Sequence, residues 1–157
     1  MSLSSVGGLW HIVCTLVKMH LNMAQVHVAI GLIVDAGRIL VSRRHLGDRF
    51  EHCWEFPGGK VAGSEEPSQC IHREIMEELD VAISIVVALP QINHDYADFQ
   101  VCLHPFILKL ESGAPRPLAS RELRWVTVAE IATLRFPEAN AGLIRDLPQT
   151  LSKLNLV

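Results

Sequence analysis

Three carboxylates stand close together at Glu74, Glu77 and Glu78, inside the run Arg73-Glu74-Ile75-Met76-Glu77-Glu78-Leu79. On a helix, at roughly 100° per residue, these three fall within an arc of about 100°. Ile71, Ile75 and Leu79 share another face, which can bury against a sheet. Carboxylates held a few ångströms apart repel by about a few kcal/mol at an effective dielectric near 20. Such a group either raises the pKa values of its members or draws in a cation. Hard oxygen donors without imidazole or thiolate favour Mg²⁺ or Mn²⁺ over zinc. Mg²⁺ keeps its waters and accepts phosphate oxygens, so the natural guest is a metal-bound phosphate chain. The plainer account of the helix alone is a solvated acidic face, and only the residues before it argue otherwise.

The elements that must position this cluster can be read along the chain. Val26 to Val34 is a β-rich apolar run, followed by the turn Asp35-Ala36-Gly37 and a second strand from Arg38 to Ser42, a hairpin signal. Arg43 to Cys53 is polar and loop-like. Trp54-Glu55-Phe56 reads as a short strand that stops at Pro57-Gly58-Gly59. Pro67 to Leu79 reads as the helix, with proline in its first turn, where a missing N–H costs nothing. Strands are expected at Ala82 to Ala88, Phe99 to Leu110 and Leu123 to Val126, with a loop from Glu111 to Pro117. Helices are expected at Val128 to Leu134 and Ala139 to Leu147. Without strict βαβ alternation, the fold class is α+β, a mixed β-sheet flanked by helices.

The residues from Gly59 onward add a pattern: glycine, five residues, Glu65, seven residues, then Arg73-Glu74 and Glu77-Glu78. This resembles the Nudix box. Matching the six positions Gly59, Glu65, Arg73, Glu74, Glu77 and Glu78 by chance has odds of about 10⁻⁷ per register at ordinary residue usage, and Ile75 and Val81 fit the aliphatic positions. One position departs: Asp80 stands where the family usually has glycine, at a site that favours a left-handed backbone, for about 1 kcal/mol in helix capping.

The resemblance implies a Nudix-type α/β/α sandwich and a loop–helix–loop that binds Mg²⁺ or Mn²⁺ together with a diphosphate. Glu74, Glu77, Glu78 and the carbonyl of Gly59 are then the metal ligands, and Arg73 is structural, pairing with Glu65 or orienting Glu77. The metal activates water for attack on phosphorus and a glutamate takes the proton. That glutamate lies either in the box or in a later loop, where Glu122 is the candidate.

From about residue 25 to 147 the chain also resembles the MutT-type branch, through Val41-Ser42-Arg43-Arg44, Trp54-Glu55-Phe56-Pro57-Gly58-Gly59-Lys60 and Phe136-Pro137-Glu138-Ala139-Asn140. By position Arg44 reaches the phosphate end and Asn140 reads an oxidised guanine, with its amide supplying both donor and acceptor. Helix capping competes for Asn140. Phe56 lines the base site or fills core, Lys60 contacts phosphate or solvent, and nothing carries over to Arg49. The expected reaction is hydrolysis of 8-oxo-dGTP or a related (d)NTP to monophosphate and pyrophosphate. The alternatives are CTP or modified dCTP, an ADP-ribose-like dinucleotide, or a non-catalytic nucleotide-binding domain.

Composition bounds these readings. With 157 residues, 49% hydrophobic and 20% charged, the chain suits one globular core. A net charge of −3 offers no global basic field for a nucleic-acid polymer, so the expected partner is a small nucleotide, bound by a monomer or homodimer. Residues 9–23 are apolar but carry His11, Lys18 and His20, too short and interrupted for a membrane span and lacking a signal-peptide start. Residues 1–22 read as an extension, either a tag or an over-long start, with a short packing helix as the competing reading; residues 23–157 form the single domain. Cys14, Cys53, Cys70 and Cys102 form no CxxC pair and read as reduced cysteines of a cytoplasmic protein. The eight histidines are scattered without metal spacing, and the pair His45 and His52 lies in a loop.

Overall fold

A computed structural model describes residues 25–156; residues 1–22, read above as an extension, lie outside them. The centre of the fold is β1 (Gln25–Asp35), whose long apolar run earns a partner on each side. It turns through Ala36 and Gly37, both with positive φ, into the antiparallel β2 (Arg38–Arg43). On its other side β1 runs parallel to β7 (Gln100–Ser112), in register from Gln25 opposite Gln100 to Ile33 opposite Leu108. β2 pairs with β3 (Trp54–Glu55) and with β8 (Glu122–Thr127), while β7 pairs with β5 (Ala82–Ala88) and β6 (Ile92–Asp95). The result is the expected mixed sheet, with eight strands where six were read from the sequence.

The period of two along β1 divides its side chains between two helix layers. Ala29 and Ile33 face α1 (Pro67–Leu79), which buries Cys70, Ile71, Ile75 and Leu79 in the same cluster as Phe106 and Leu108. Ile30, Leu32 and Val34 face the opposite layer, where Leu143, Leu147 and Leu151 of α3 (Ala141–Lys153) pack with Ile107. Helices therefore cover both faces. No helix among the described residues is long and apolar enough to cross a membrane.

Several boundaries differ from the sequence reading. The expected helix from Ala139 is a 3₁₀ turn, Glu138–Asn140, leading into α3, which continues past Pro148 because its apolar stripe stays buried on both sides of that residue. The helix from Val128, α2, ends at Ile131; it is capped by Thr127, whose hydroxyl accepts from the Glu130 N–H at 3.2 Å. The strand expected to end at Leu110 continues to Ser112. Within it Pro105 falls where the neighbour on that side changes from β6 to β5, so the missing donor interrupts no ladder, and its carbonyl accepts from Leu89 N–H at 2.9 Å. The expected break at Pro57-Gly58-Gly59 becomes β4 (Gly58–Lys60), antiparallel to Val28–Ile30. β6 was not legible either: Ile-Asn-His-Asp carries no long alternation.

Candidate active site

The site grows from β4 and the helix that crosses it. Gly58 has φ 147°, and a Cβ there would stand 2.1 Å from the Ala29 carbonyl oxygen, so only glycine lets β4 lie this close to β1. At Gly59 a Cβ would stand 2.3 Å from the Glu74 carboxyl carbon and 2.4 Å from each of its oxygens. The Glu74 carboxylate thus occupies the space that a side chain at 59 would fill. Gly58 donates its backbone N–H to Glu78 Oε2 at 3.1 Å.

Glu78 is pushed up to about 7, first by burial and then by the neighbouring charges of Glu55 and Glu74; the Gly58 N–H and Arg44 oppose this. Glu55 is also raised, chiefly by burial, against the pull of its ion-pair partner Arg44. A buried carboxylate that stays partly protonated at neutral pH marks a place with fewer positive charges than the acids around it would accept.

Behind them Arg73 acts as a hub. Its Nε and Nη2 donate to the two oxygens of Glu65, both at 2.9 Å, while Nη1 reaches Glu74 at 2.7 Å and Glu77 at 3.3 Å. The Arg73 hydrogen bonds hold Glu65 down at about 2, and the carboxylates hold Arg73 above its ordinary value. One side chain thus contacts both Glu65 and Glu77. Asp80 adopts the left-handed conformation expected of the helix end, φ 57°, and forms an ion pair with Arg116.

Glu74, Glu78 and Gly59 line a cavity of about 750 Å³. The same cavity is lined by Arg44, Lys60, Phe56 and Asn140, so the residues singled out for phosphate and base converge there. Phe56 is buried, with its ring 5.1 Å from that of Phe136. Asn140 is 7% exposed, and its side chain caps no helix; the amide donates one long bond, 3.4 Å, to the Pro137 carbonyl. Other expected residues stand outside the lining. Glu77 is 59% exposed beside Arg73, and Glu122, opposite Arg43 in the β2–β8 register, lies 3.6 Å from that guanidinium.

Two groups of lining residues escaped the sequence reading. Glu55 sits in a short strand between buried Trp54 and Phe56, inside a segment that carries the MutT-type resemblance but with no role assigned to it there. Arg49 pairs with Asp98 through two bonds of 2.7 and 2.8 Å and lies over Phe99, its guanidinium carbon 4.3 Å from the ring centre, with Phe50 and Tyr96 alongside. Forty-nine residues separate that pair, so no local spacing could reveal it.

The family description "NUDIX domain" matches residues 29–146, about three quarters of the chain. The chain belongs to the Nudix family. Its relatives include a "Putative 8-oxo-dGTP diphosphatase 2" of Mycobacterium tuberculosis, 33% identical over 126 residues, which cover 80% of this chain and 89% of that protein. A "CTP pyrophosphohydrolase" of Escherichia coli is 26% identical over 121 residues, 77% of this chain and 88% of that one. Among solved structures, one from a study of MutT from Aliivibrio salmonicida and Vibrio cholerae matches with TM-score 0.64 and 28% identity, over 77% of this chain and 93% of that chain. In this Nudix hydrolase the helix of the box gives Glu74 and Glu78 to the cavity, its loop gives Gly59, and the pairing of Arg73 on the helix with Glu65 before it lies outside the cavity lining.

Proposed function

We propose that this Nudix hydrolase is a Mg²⁺-dependent nucleoside triphosphate pyrophosphohydrolase whose preferred substrate carries 8-oxoguanine, converting 8-oxo-dGTP and water to 8-oxo-dGMP and pyrophosphate. The observation that carries the reading is the convergence of Glu74, Glu78 and Gly59 on one cavity with Arg44, Phe56 and Asn140. An anion-binding and a base-binding set thus share a space of about 750 Å³, within the usual range for a small-molecule site.

The donor set fits a hard divalent cation. Glu74 and Glu78 supply carboxylate oxygens and Gly59 a carbonyl, and the protonation of Glu78 at neutral pH is what an added cation would relieve. Glu77, on the solvent side beside Arg73, is the third ligand the motif implies. When bound, the cation neutralises phosphate oxygens and favours loss of a proton from water.

The chain's own groups supply the rest. Arg44, held by Glu55, offers a planar guanidinium to phosphate oxygens. Phe56 presents an apolar ring to the base and Asn140 an amide with unused donor and acceptor capacity. Glu55 and Glu78 are lining carboxylates whose acidity burial has weakened, and one of them takes the proton from the attacking water. Glu122 serves only if it leaves Arg43 and turns inward.

A nucleotide panel with product identification tests this. The expected result is Mg²⁺-dependent release of pyrophosphate, with the highest kcat/KM on 8-oxo-dGTP. The likeness to a CTP pyrophosphohydrolase favours a second reading, CTP as substrate, and a panel led by CTP would replace the first. Retention of full activity by Glu78→Gln would remove the cation-site assignment altogether.

A further inference from the structure

His27 of β1 and Cys102 of β7 stand directly opposite each other in the parallel register, and His104 follows two residues later on the same face. Alternation turns all three away from the cavity, which is lined instead by Val26, Val28, Val101 and Leu103. His27 Nδ1 lies 3.0 Å from His104 Nε2, and Cys102 Sγ lies 3.6 Å from the same nitrogen. One donor atom from each residue falls within 4.8 Å of the others.

We propose that His27, Cys102 and His104 form a second metal site, for one borderline transition-metal ion, Zn²⁺ by the chemistry of its donors, distinct from the carboxylate site. With Zn–N near 2.05 Å and Zn–S near 2.3 Å, tetrahedral coordination places neighbouring nitrogens about 3.3 Å apart and nitrogen and sulfur about 3.6 Å apart. The separations of 3.0 and 3.6 Å lie within a few tenths of an ångström of those edges, and the third, from the His27 nitrogen to the Cys102 sulfur, is within 4.8 Å. Imidazole and thiolate select zinc over magnesium, which the oxygen-only cavity site favours instead.

The surroundings suit ligation. Cys102 and His104 are buried and His27 is exposed, which provides both a protected anchor and a route of entry. Burial and the neighbouring His27 keep His104 below the usual histidine range, in the neutral form that ligates. Burial raises the Cys102 thiol, so binding must expel its proton to solvent as the Zn–S bond forms. Gln91 Oε1, 3.7 Å from Cys102 Sγ, lies close enough to the thiol to offer a fourth ligand; water is the alternative. The ion would staple β1 to β7, whose opposite faces line the nucleotide cavity. The competing state is a metal-free hydrogen bond between the two imidazoles.

The test titrates chelator-stripped full-length protein with Zn²⁺ and with Co²⁺ as a spectroscopic probe, in excess Mg²⁺. Cys14→Ser is the background, so that no other thiolate near the chain start contributes. One equivalent should bind, and Co²⁺ should develop thiolate-to-cobalt charge-transfer absorption. His27→Ala, at an exposed position, should weaken Zn²⁺ at least about a hundredfold, since even outer-shell changes cost 10- to 100-fold. Cys102→Ser should abolish the charge-transfer band, and Glu78→Gln should leave it intact. Binding without that band, or equal affinity in His27→Ala, overturns the proposal. Zn²⁺ binding that disappears in Glu78→Gln would assign the ion to the carboxylates and overturn it equally.

Discussion

Gly58 and Gly59 are neighbours, yet alanine at each should fail for opposite reasons. At Gly59 the new Cβ meets only the tip of the Glu74 side chain, at 2.3 Å, whereas ordinary contact begins at 3.4 Å. The carboxylate must retreat by about 1 Å, which its rotatable bonds allow at below about 1 kcal/mol of folding stability. Misplacement of a positioned group by about 1 Å costs on the order of 100-fold in rate, or about 2.7 kcal/mol of barrier. At Gly58 the Cβ meets a backbone oxygen of β1 at 2.1 Å, and a φ of 147° suits no side chain. There β4 itself must move, with a loss of about 3 kcal/mol or more. Urea unfolding and Mg²⁺-dependent kcat, measured on both variants, separate the two effects. Gly59→Ala should unfold near the wild-type midpoint with kcat down about 100-fold; Gly58→Ala should unfold at clearly lower urea. Equal destabilisation of the two, or wild-type kcat in Gly59→Ala, would refute the assignment of Glu74 to the space above Gly59.

Three further outcomes follow from the site. Glu78 titrates at about 7 in the folded chain against an ordinary 4.5, so the stability it contributes is present below pH 4.5 and lost as pH rises through 7, by about 3 kcal/mol in chelator. Urea unfolding of wild type against Glu78→Gln from pH 4 to 8 should diverge by that order, with Mg²⁺ closing the gap at pH 8, and a pH-independent difference would contradict it. Asn140→Ala loses a single 3.4 Å bond, so stability should change by under about 1 kcal/mol while the kcat/KM preference for 8-oxo-dGTP over dGTP falls at least about tenfold; an unchanged ratio removes Asn140 from base recognition. Arg73→Lys cannot keep the two-pronged grip on Glu65, so half-maximal activity should require about 10- to 100-fold more Mg²⁺, and Glu65→Gln should add little in the double variant; additive losses would show that the two act separately.

What the sequence disclosed depended on how local the physics was. The helix from Pro67 to Leu79 was legible to the residue because its proline, apolar stripe and acidic face all lie within four turns of chain. Gly59, Glu65 and Arg73 were legible only through the resemblance to the Nudix box, whose positions they match. Angular spacing alone, however, grouped Glu77 with Glu74 and Glu78; tertiary packing gives the latter two to the cavity and leaves Glu77 in solvent. The Arg49–Asp98 clamp was invisible because it joins two loops 49 residues apart, and the His27–Cys102–His104 cluster because strand pairing, not sequence distance, brings its members together. Histidines that show no ligand spacing along the chain can thus be hydrogen-bonded neighbours in the sheet.

The two glycines also resolve a topological difficulty. α1 packs its apolar residues on the face of the sheet formed by Ala29 and Ile33, whereas the cavity is walled by Val28 and Ile30 from the opposite face. A helix on one face of a sheet cannot ordinarily offer side chains to a pocket on the other, because the strands and their side chains intervene. Here the intervening strand is β4, only three residues long, and two of those three are glycine. With no Cβ at 58 or 59, Glu74 and Glu78 extend across the strand to the cavity, one over Gly59 and the other onto the Gly58 N–H. The glycine pair is therefore a window in the sheet edge, and the reach of the helix into the cavity depends on side chains that are absent as much as on those that are present.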